Sequence, residues 1–311
     1  MNYPIFFNAK SSQNLFELQE NFRFISELYS KKKLPKILMF SGIKGSGKST
    51  LVNHFLYSIF DEKNYNISNY SFSGNSIFFN QFQNNTFSNI IYISGADFKS
   101  VKIEDIRNLK TRILQSTISN KDRFIVFDDV ELFNHNSLNA LLKIIEEPSK
   151  KNYFFLIYNK SKPLIETINS RALEVKIILN ETQRLKIIEK LVKFFKIEVI
   201  LDPKSSQLSP GSFVKFNHIC NEYSILPTND FIKNITLLLN LYKKNKDPVF
   251  TNIILFLTND YFNKLKYDNS FTTNKIIEYK IFVFENINKF FLYNLNPNAL
   301  LNVIDNKINN D

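Results

Sequence analysis

The chain has 311 residues, 44% of them hydrophobic, which is enough to bury a sizeable core and to build two or three domains of ordinary size. Its one cysteine, Cys220, excludes an internal disulfide and a cysteine-rich zinc site, and three scattered histidines offer no metal-ligand spacing. A net charge of +11 suits a partner rich in phosphates, and it follows equally from the Lys, Asn, Ile and Phe bias that AT-rich coding imposes on any protein.

No apolar run approaches the length that crosses a bilayer. The opening MNYPIFFNAKSS has neither the basic flank nor the long apolar segment of an export signal, so a cytoplasmic protein is expected. Short apolar runs alternate with helical patterns through the first half: ILMFS (37–41), IIYIS (90–94), FIVFDD (124–129), YFFLIY (153–158) and EVKIIL (174–179). Continuous apolar strands separated by helices predict a parallel α/β sheet covered on both faces.

GIKGSGKST, Gly42 to Thr50, follows the first of these strands and opens the helix STLVNHFLYSIF. The spacing is that of a phosphate-binding loop. Glycines 42, 45 and 47 let the backbone amides at Ser46 and its neighbours curl around phosphates, and the helix N-terminus at Thr50 adds its dipole. Lys48 reaches the outer phosphates, and Ser49 offers a hydroxyl to magnesium. A chance match in a glycine-rich turn is the competing explanation, but three of only six glycines in the chain fall in this loop. ATP and Mg2+ are therefore the expected cofactors.

The stretch between Asp61 and Ser88 is polar, rich in Asn, Ser and Phe, and without periodicity, which predicts an inserted surface excursion. Further on, VKIEDIRNLKTRILQ turns Ile103, Ile106, Leu109 and Ile113 to the core and leaves Arg107, Lys110 and Thr111 on another flank. RFIVFDD then ends an apolar strand on two acids. Asp128 is placed to hold magnesium and Asp129 to act as the base that orients an attacking water, although a helix-approach residue without chemistry fits Asp129 too. In NALLKIIEEP the residues Leu138, Leu141, Leu142 and Ile145 make one buried helix face, Asn139, Lys143, Glu146 and Glu147 lie outside it, and Pro148 stops the helix. After Leu179 the β signal disappears. Helical spacing takes over in ETQRLKIIEKLVKFFKI, and breaks at LDPKSSQLSPGS and near Pro227 divide the rest of the chain.

The segment FDDVELFNHNSLNALLKIIEEPSKKNYFFLIYNKSKPLIETINSRA resembles the clamp-loader ATPases of the AAA+ class, which carry an acidic strand end, an N-A-L-L-K-x-x-E-E-P helix and a T-I-x-S-R-C segment. Within that family the likeness is greatest to the delta-prime type of bacterial DNA polymerase III, over about residues 30 to 180. The resemblance implies an AAA+ domain over 1–178, a small helical lid over 179–224 and a helical collar that assembles the ring over 225–311. It also implies the partners: gamma/tau and delta subunits in a hetero-pentameric ring, the sliding clamp and primed DNA.

In the family the arginine matching Arg171 acts in trans on a neighbour's nucleotide, as a guanidinium that forks onto phosphate oxygens can do. Ala172 replaces the family's cysteine. Asn159 matches the polar position that orients water near the terminal phosphate. Lys215 stands near the lid arginine's place, as a point charge without the bidentate fork. The flank bearing Arg107 and Lys110 matches a helix that follows the primer-template backbone, with a plain solvated face as its rival reading. Gamma/tau-type subunits carry zinc-binding cysteines after the loop; none stand here, so no zinc is expected and the delta-prime type is favoured. Three other readings stay open: a non-hydrolysing scaffold subunit of the same ring that donates its arginine, a gamma/tau-type motor subunit, and a small-molecule P-loop kinase.

Overall fold

The computed structural model describes residues 3–95, 113, 121–146, 151–226, 230–266 and 272–309. The chain forms two compact units, one of Tyr3–Phe195 with Ser209–Ser212, the other of Lys196–Leu208 and the residues from Phe213 onward.

The first unit is built on five parallel strands: β1 (Ile37–Ser41), β4 (Ile90–Ser94), β5 (Arg123–Asp128), β6 (Asn152–Tyr158) and β7 (Leu173–Lys176), in the order β4-β5-β6-β1-β7. The register sets Phe40 beside Ile157 and Val126 beside Phe155. Successive side chains of a strand point to opposite faces, and both faces are covered. Leu38, Phe40, Phe124, Val126, Phe155 and Ile157 pack with Leu51 and Phe55 on one side. Met39, Ile125, Phe127, Phe154 and Leu156 pack with Leu138, Leu141 and Ile145 on the other. Two buried faces are why β1, β5 and β6 read as unbroken apolar runs rather than alternating ones.

Two expectations change. EVKIIL was expected as a strand over 174–179, but β7 ends at Lys176; beyond it Ile177 donates one last bond to Ser41, and Ile178 is exposed. The Asn/Phe-rich stretch is more than a surface excursion. It folds as a hairpin of β2 (Tyr65–Asn66) and β3 (Ser71–Phe72) followed by the helix Ile77–Gln83. Its Tyr65, Phe72, Phe78 and Phe82 are buried in the core beside Tyr57, with the Tyr57 and Phe72 rings stacked at 3.7 Å. Aromatic spacing irregular in sequence becomes one cluster once the hairpin reverses the chain.

The second unit is helical, with Phe231–Asn245, Pro248–Leu265, Thr273–Tyr293 and Pro297–Asn309 as its longer elements. Asp230 and Asp247 cap two of these helices by accepting backbone amides. No described helix is long and apolar enough to cross a membrane.

Candidate functional site

The loop after β1 turns sharply because Gly45 and Gly47 take φ of +83° and +95°, where an L side chain is strained. A Cβ on Gly45 would also come within 2.4 Å of the Ser209 hydroxyl. The Ser209–Ser212 segment backs the loop directly: Gly211 donates to the Gly45 carbonyl at 2.9 Å and the Ser209 hydroxyl to the Lys44 carbonyl at 2.6 Å. The helix Lys48–Phe60 starts at the loop's last glycine.

Lys48 is 2% exposed, and its ammonium donates to the carbonyls of Gly42 at 2.8 Å and Ile43 at 2.6 Å. Burial pulls its pKa down to about 8, against the opposing pull of the carboxylates at Asp128, Glu131 and Asp129. It remains a cation at neutral pH. Ser46 is buried beside it, while Ser49 and Thr50 in the first helical turn are half-buried.

β5 ends next to the loop. The Ser49 hydroxyl donates to Asp128 Oδ2 at 3.0 Å, and the Tyr92 hydroxyl on β4 donates to the same oxygen at 2.6 Å. Burial first, and then the charge of Asp129, raise the Asp128 carboxyl above its ordinary value. One hydroxyl and one carboxylate are the hard oxygen donors that suit magnesium, which keeps most of its shell as water and phosphate oxygen. Asp129 leaves the strand in a left-handed conformation (φ 51°, ψ 45°), which aspartate tolerates better than most residues. Its carboxylate meets the Lys44 ammonium at 3.2 Å and accepts from the Asn159 side-chain amide at 2.5 Å.

Gly42, Gly45, Ser46, Gly47, Lys48, Ser49, Asp128, Asp129 and Asn159 thus converge at the ends of β1, β5 and β6. Arg171 is not among them. It lies past the short helix Glu166–Asn169, where its guanidinium pairs with Glu146 Oε1 at 2.9 Å and donates to the Thr167 carbonyl at 2.9 Å. Lys215 is half-buried on the helix Pro210–Glu222, in the second unit. Arg107, Lys110, Glu147 and Pro148 lie outside the described residues. Three neighbours of this cluster carried no signal in the sequence: Tyr92, within an apolar strand, Lys44, whose exposed ammonium meets Asp129, and Glu131, which holds Asn159 and Ser161.

A glycine loop between a strand and a helix, with a neighbouring parallel strand ending in a carboxylate against the loop's serine, defines a P-loop α/β fold. The family model described as DNA polymerase III, delta subunit matches residues 18–180, and the chain belongs to that family, within the clamp-loader AAA+ proteins. It is 27% identical over 173 residues to the DNA polymerase III subunit gamma of Buchnera aphidicola subsp. Acyrthosiphon pisum, 53% of this chain and 46% of that protein. It is 30% identical over 82 residues to the subunit delta' of the same organism, 26% of this chain and 25% of that protein. The matches thus span less than half the length of these curated relatives. A gamma subunit-related protein of Thermotoga maritima superposes with a TM-score of 0.45 at 16% identity, covering 93% of this chain and 97% of that one.

Proposed function

We propose that this chain is a delta-prime-like subunit of the DNA polymerase III clamp loader that binds ATP with Mg2+ and takes part in ATP-dependent loading of the sliding clamp onto primed DNA. On this reading it works in the cytoplasm, in a hetero-pentameric ring with gamma/tau and delta subunits. Residues 1–178 carry the nucleotide, 179–224 serve as the lid and 225–311 as the collar. The observation that carries the proposal is the convergence of Lys48, Ser49, Asp128, Asp129 and Asn159 at adjoining strand ends. Lys48 supplies a desolvated positive charge to phosphate oxygens, and the loop amides supply donors around them. Ser49 and Asp128 would hold Mg2+, which supplies charge neutralisation on the terminal phosphates. Asp129 would take the proton of the attacking water as the bond to the leaving diphosphate oxygen breaks, with Asn159 orienting that water. Lys215 would meet the nucleotide from the lid, and Arg107 and Lys110 would track the DNA backbone.

A second reading, a scaffold subunit that binds nucleotide without hydrolysing it and donates Arg171, is favoured by one observation. The Asp129 carboxylate is already engaged by Lys44 and Asn159. Aspartate is also a methylene shorter than the glutamate usual at this place, and about 1 Å of displacement can cost on the order of a hundredfold in rate.

Calorimetric titration with Mg-ATP tests the common claim. Lys48→Ala is expected to weaken ATP about a hundredfold, the loss of about 3 kcal/mol in charge-assisted hydrogen bonds. A wild type that binds no ATP would end the nucleotide reading, and equal binding by wild type and variant would remove Lys48 from the site. Single-turnover hydrolysis by the wild type then separates motor from scaffold.

A further inference from the structure

Glu131 is the buried acid that the proposed chemistry leaves unused. The left-handed turn at Asp129 feeds a short 3-10 turn, Val130–Leu132, which carries Glu131 inward until only 5% of it is exposed. Its Oε1 accepts from the Asn159 backbone amide at 3.1 Å and from the Ser161 hydroxyl at 2.8 Å, with the Ser161 amide farther away at 3.5 Å. Its Oε2 is buried without a hydrogen-bond partner among the described residues. A neutral amide could tether this loop at lower desolvation cost, because a buried carboxylate with an unpaired oxygen is among the more expensive groups a fold can keep. The main chain that Glu131 holds is that of Asn159, whose side chain rests on Asp129. One carboxylate therefore ties the exit of β5 to the exit of β6, at the residue facing the terminal phosphate in the function proposed above.

We propose that Glu131 is a positioning residue which, by gripping the backbone of Asn159 and the hydroxyl of Ser161, fixes the Asn159 amide as the group that distinguishes a nucleoside triphosphate from a diphosphate. The inference rests on the nucleotide-binding reading. It concerns discrimination between nucleotides, whereas the loop at Lys48 governs binding of both.

The test is calorimetric titration of the full chain with Mg-ATP and Mg-ADP, for wild type, Glu131→Ala, Glu131→Gln and Ser161→Ala. Glu131→Ala is expected to keep ADP affinity within about threefold while its preference for ATP over ADP falls about tenfold, the typical size of one lost, well-placed charged contact. Glu131→Gln, which retains an acceptor oxygen at the same reach, is expected to recover most of that preference. Ser161→Ala should shift it in the same direction as Glu131→Ala by a smaller factor, and it supplies the answer if Glu131→Ala fails to fold. An unchanged ATP preference in Glu131→Ala, or in Ser161→Ala where that variant must stand in, overturns the proposal. So does an equal loss of both nucleotides, which would make Glu131 a structural strut. A wild type that binds ATP and ADP equally overturns it while leaving nucleotide binding intact. A wild type that binds neither overturns the nucleotide reading and the proposal with it.

Discussion

At the residue scale the first unit buries a titratable group with no place in the proposed chemistry. His54 is fully buried on the loop helix, with Nε2 2.9 Å from the Ser12 carbonyl and Nδ1 3.2 Å from the Tyr65 hydroxyl. Burial pulls its pKa from the ordinary 6.5 down to about 4. Above 6.5 the ring is neutral in folded and unfolded chains alike, and its contribution to stability is complete. As pH falls through 6.5 the unfolded chain takes a proton that the folded chain refuses, so stability declines until the folded pKa is reached. Between pH 7 and 5 the expected loss is about 2 kcal/mol. Urea unfolding at the two pH values measures it, and His54→Gln should flatten the difference whatever it does to absolute stability. A variant with the wild-type pH dependence would show that the loss arises elsewhere. Lys48 obeys the same rule with another outcome: its burial weakens the charged form, yet a pKa of about 8 leaves it cationic where ATP would be bound.

At the scale of elements, the hairpin and helix between Asp61 and Ser88 decide whether the loop helix has a rigid back. Phe78 is 6% exposed, meets the Tyr57 ring edge-on at 5.0 Å and lies 4.8 Å from Phe87. Phe78→Ala should cost about 3 to 5 kcal/mol in chemical denaturation, since it deletes a large buried side chain whose neighbours relax only partly. A loss within about 0.5 kcal/mol would return this stretch to the status of a surface loop. The contrast with the five strands explains what could be read from the residues alone. β1, β5 and β6 are buried on both faces and so wrote themselves as apolar runs, and the loop announced itself through glycines that its dihedral angles demand. The insertion's core contacts were hidden because Phe72 and Phe78 reach Tyr57 through a tertiary turn, with no local period to mark them. β7 was overdrawn because Ile177 and Ile178 extend its apolar pattern, although one is buried past the strand and the other exposed. At the site, Lys48, Ser49 and Asp128 were legible from spacing. Tyr92, Lys44 and Glu131 were not, because their roles depend on which strand ends adjoin.

At the scale of the whole molecule, the chain holds a P-loop and, separately, an arginine whose partners among the described residues, Glu146 and Thr167, lie outside that loop's cluster. Arg171 and Glu146 are 38% and 46% exposed in their side chains, and an ion pair so open to solvent is worth at most about 1 kcal/mol. Withdrawing the guanidinium from Glu146 to meet a phosphate therefore costs little, whereas a deeply buried pair would hold it fast. If Arg171 serves a neighbour's nucleotide, its loss must be silent in the isolated chain and visible only in the assembly. Arg171→Ala is expected to leave this chain's own ATP affinity within about twofold of wild type. In a complex reconstituted with gamma/tau and delta subunits, it should lower hydrolysis at the dependent site by on the order of a thousandfold, the low end of what an arginine supplied across an interface contributes. Arg171→Lys should restore little, because a point charge lacks the planar fork that grips two phosphate oxygens at once. Glu146→Gln frees the guanidinium without removing it and should leave that rate unchanged or raised. A reconstituted Arg171→Ala complex with wild-type turnover would show that the guanidinium serves no neighbour's nucleotide, and the trans role would fall.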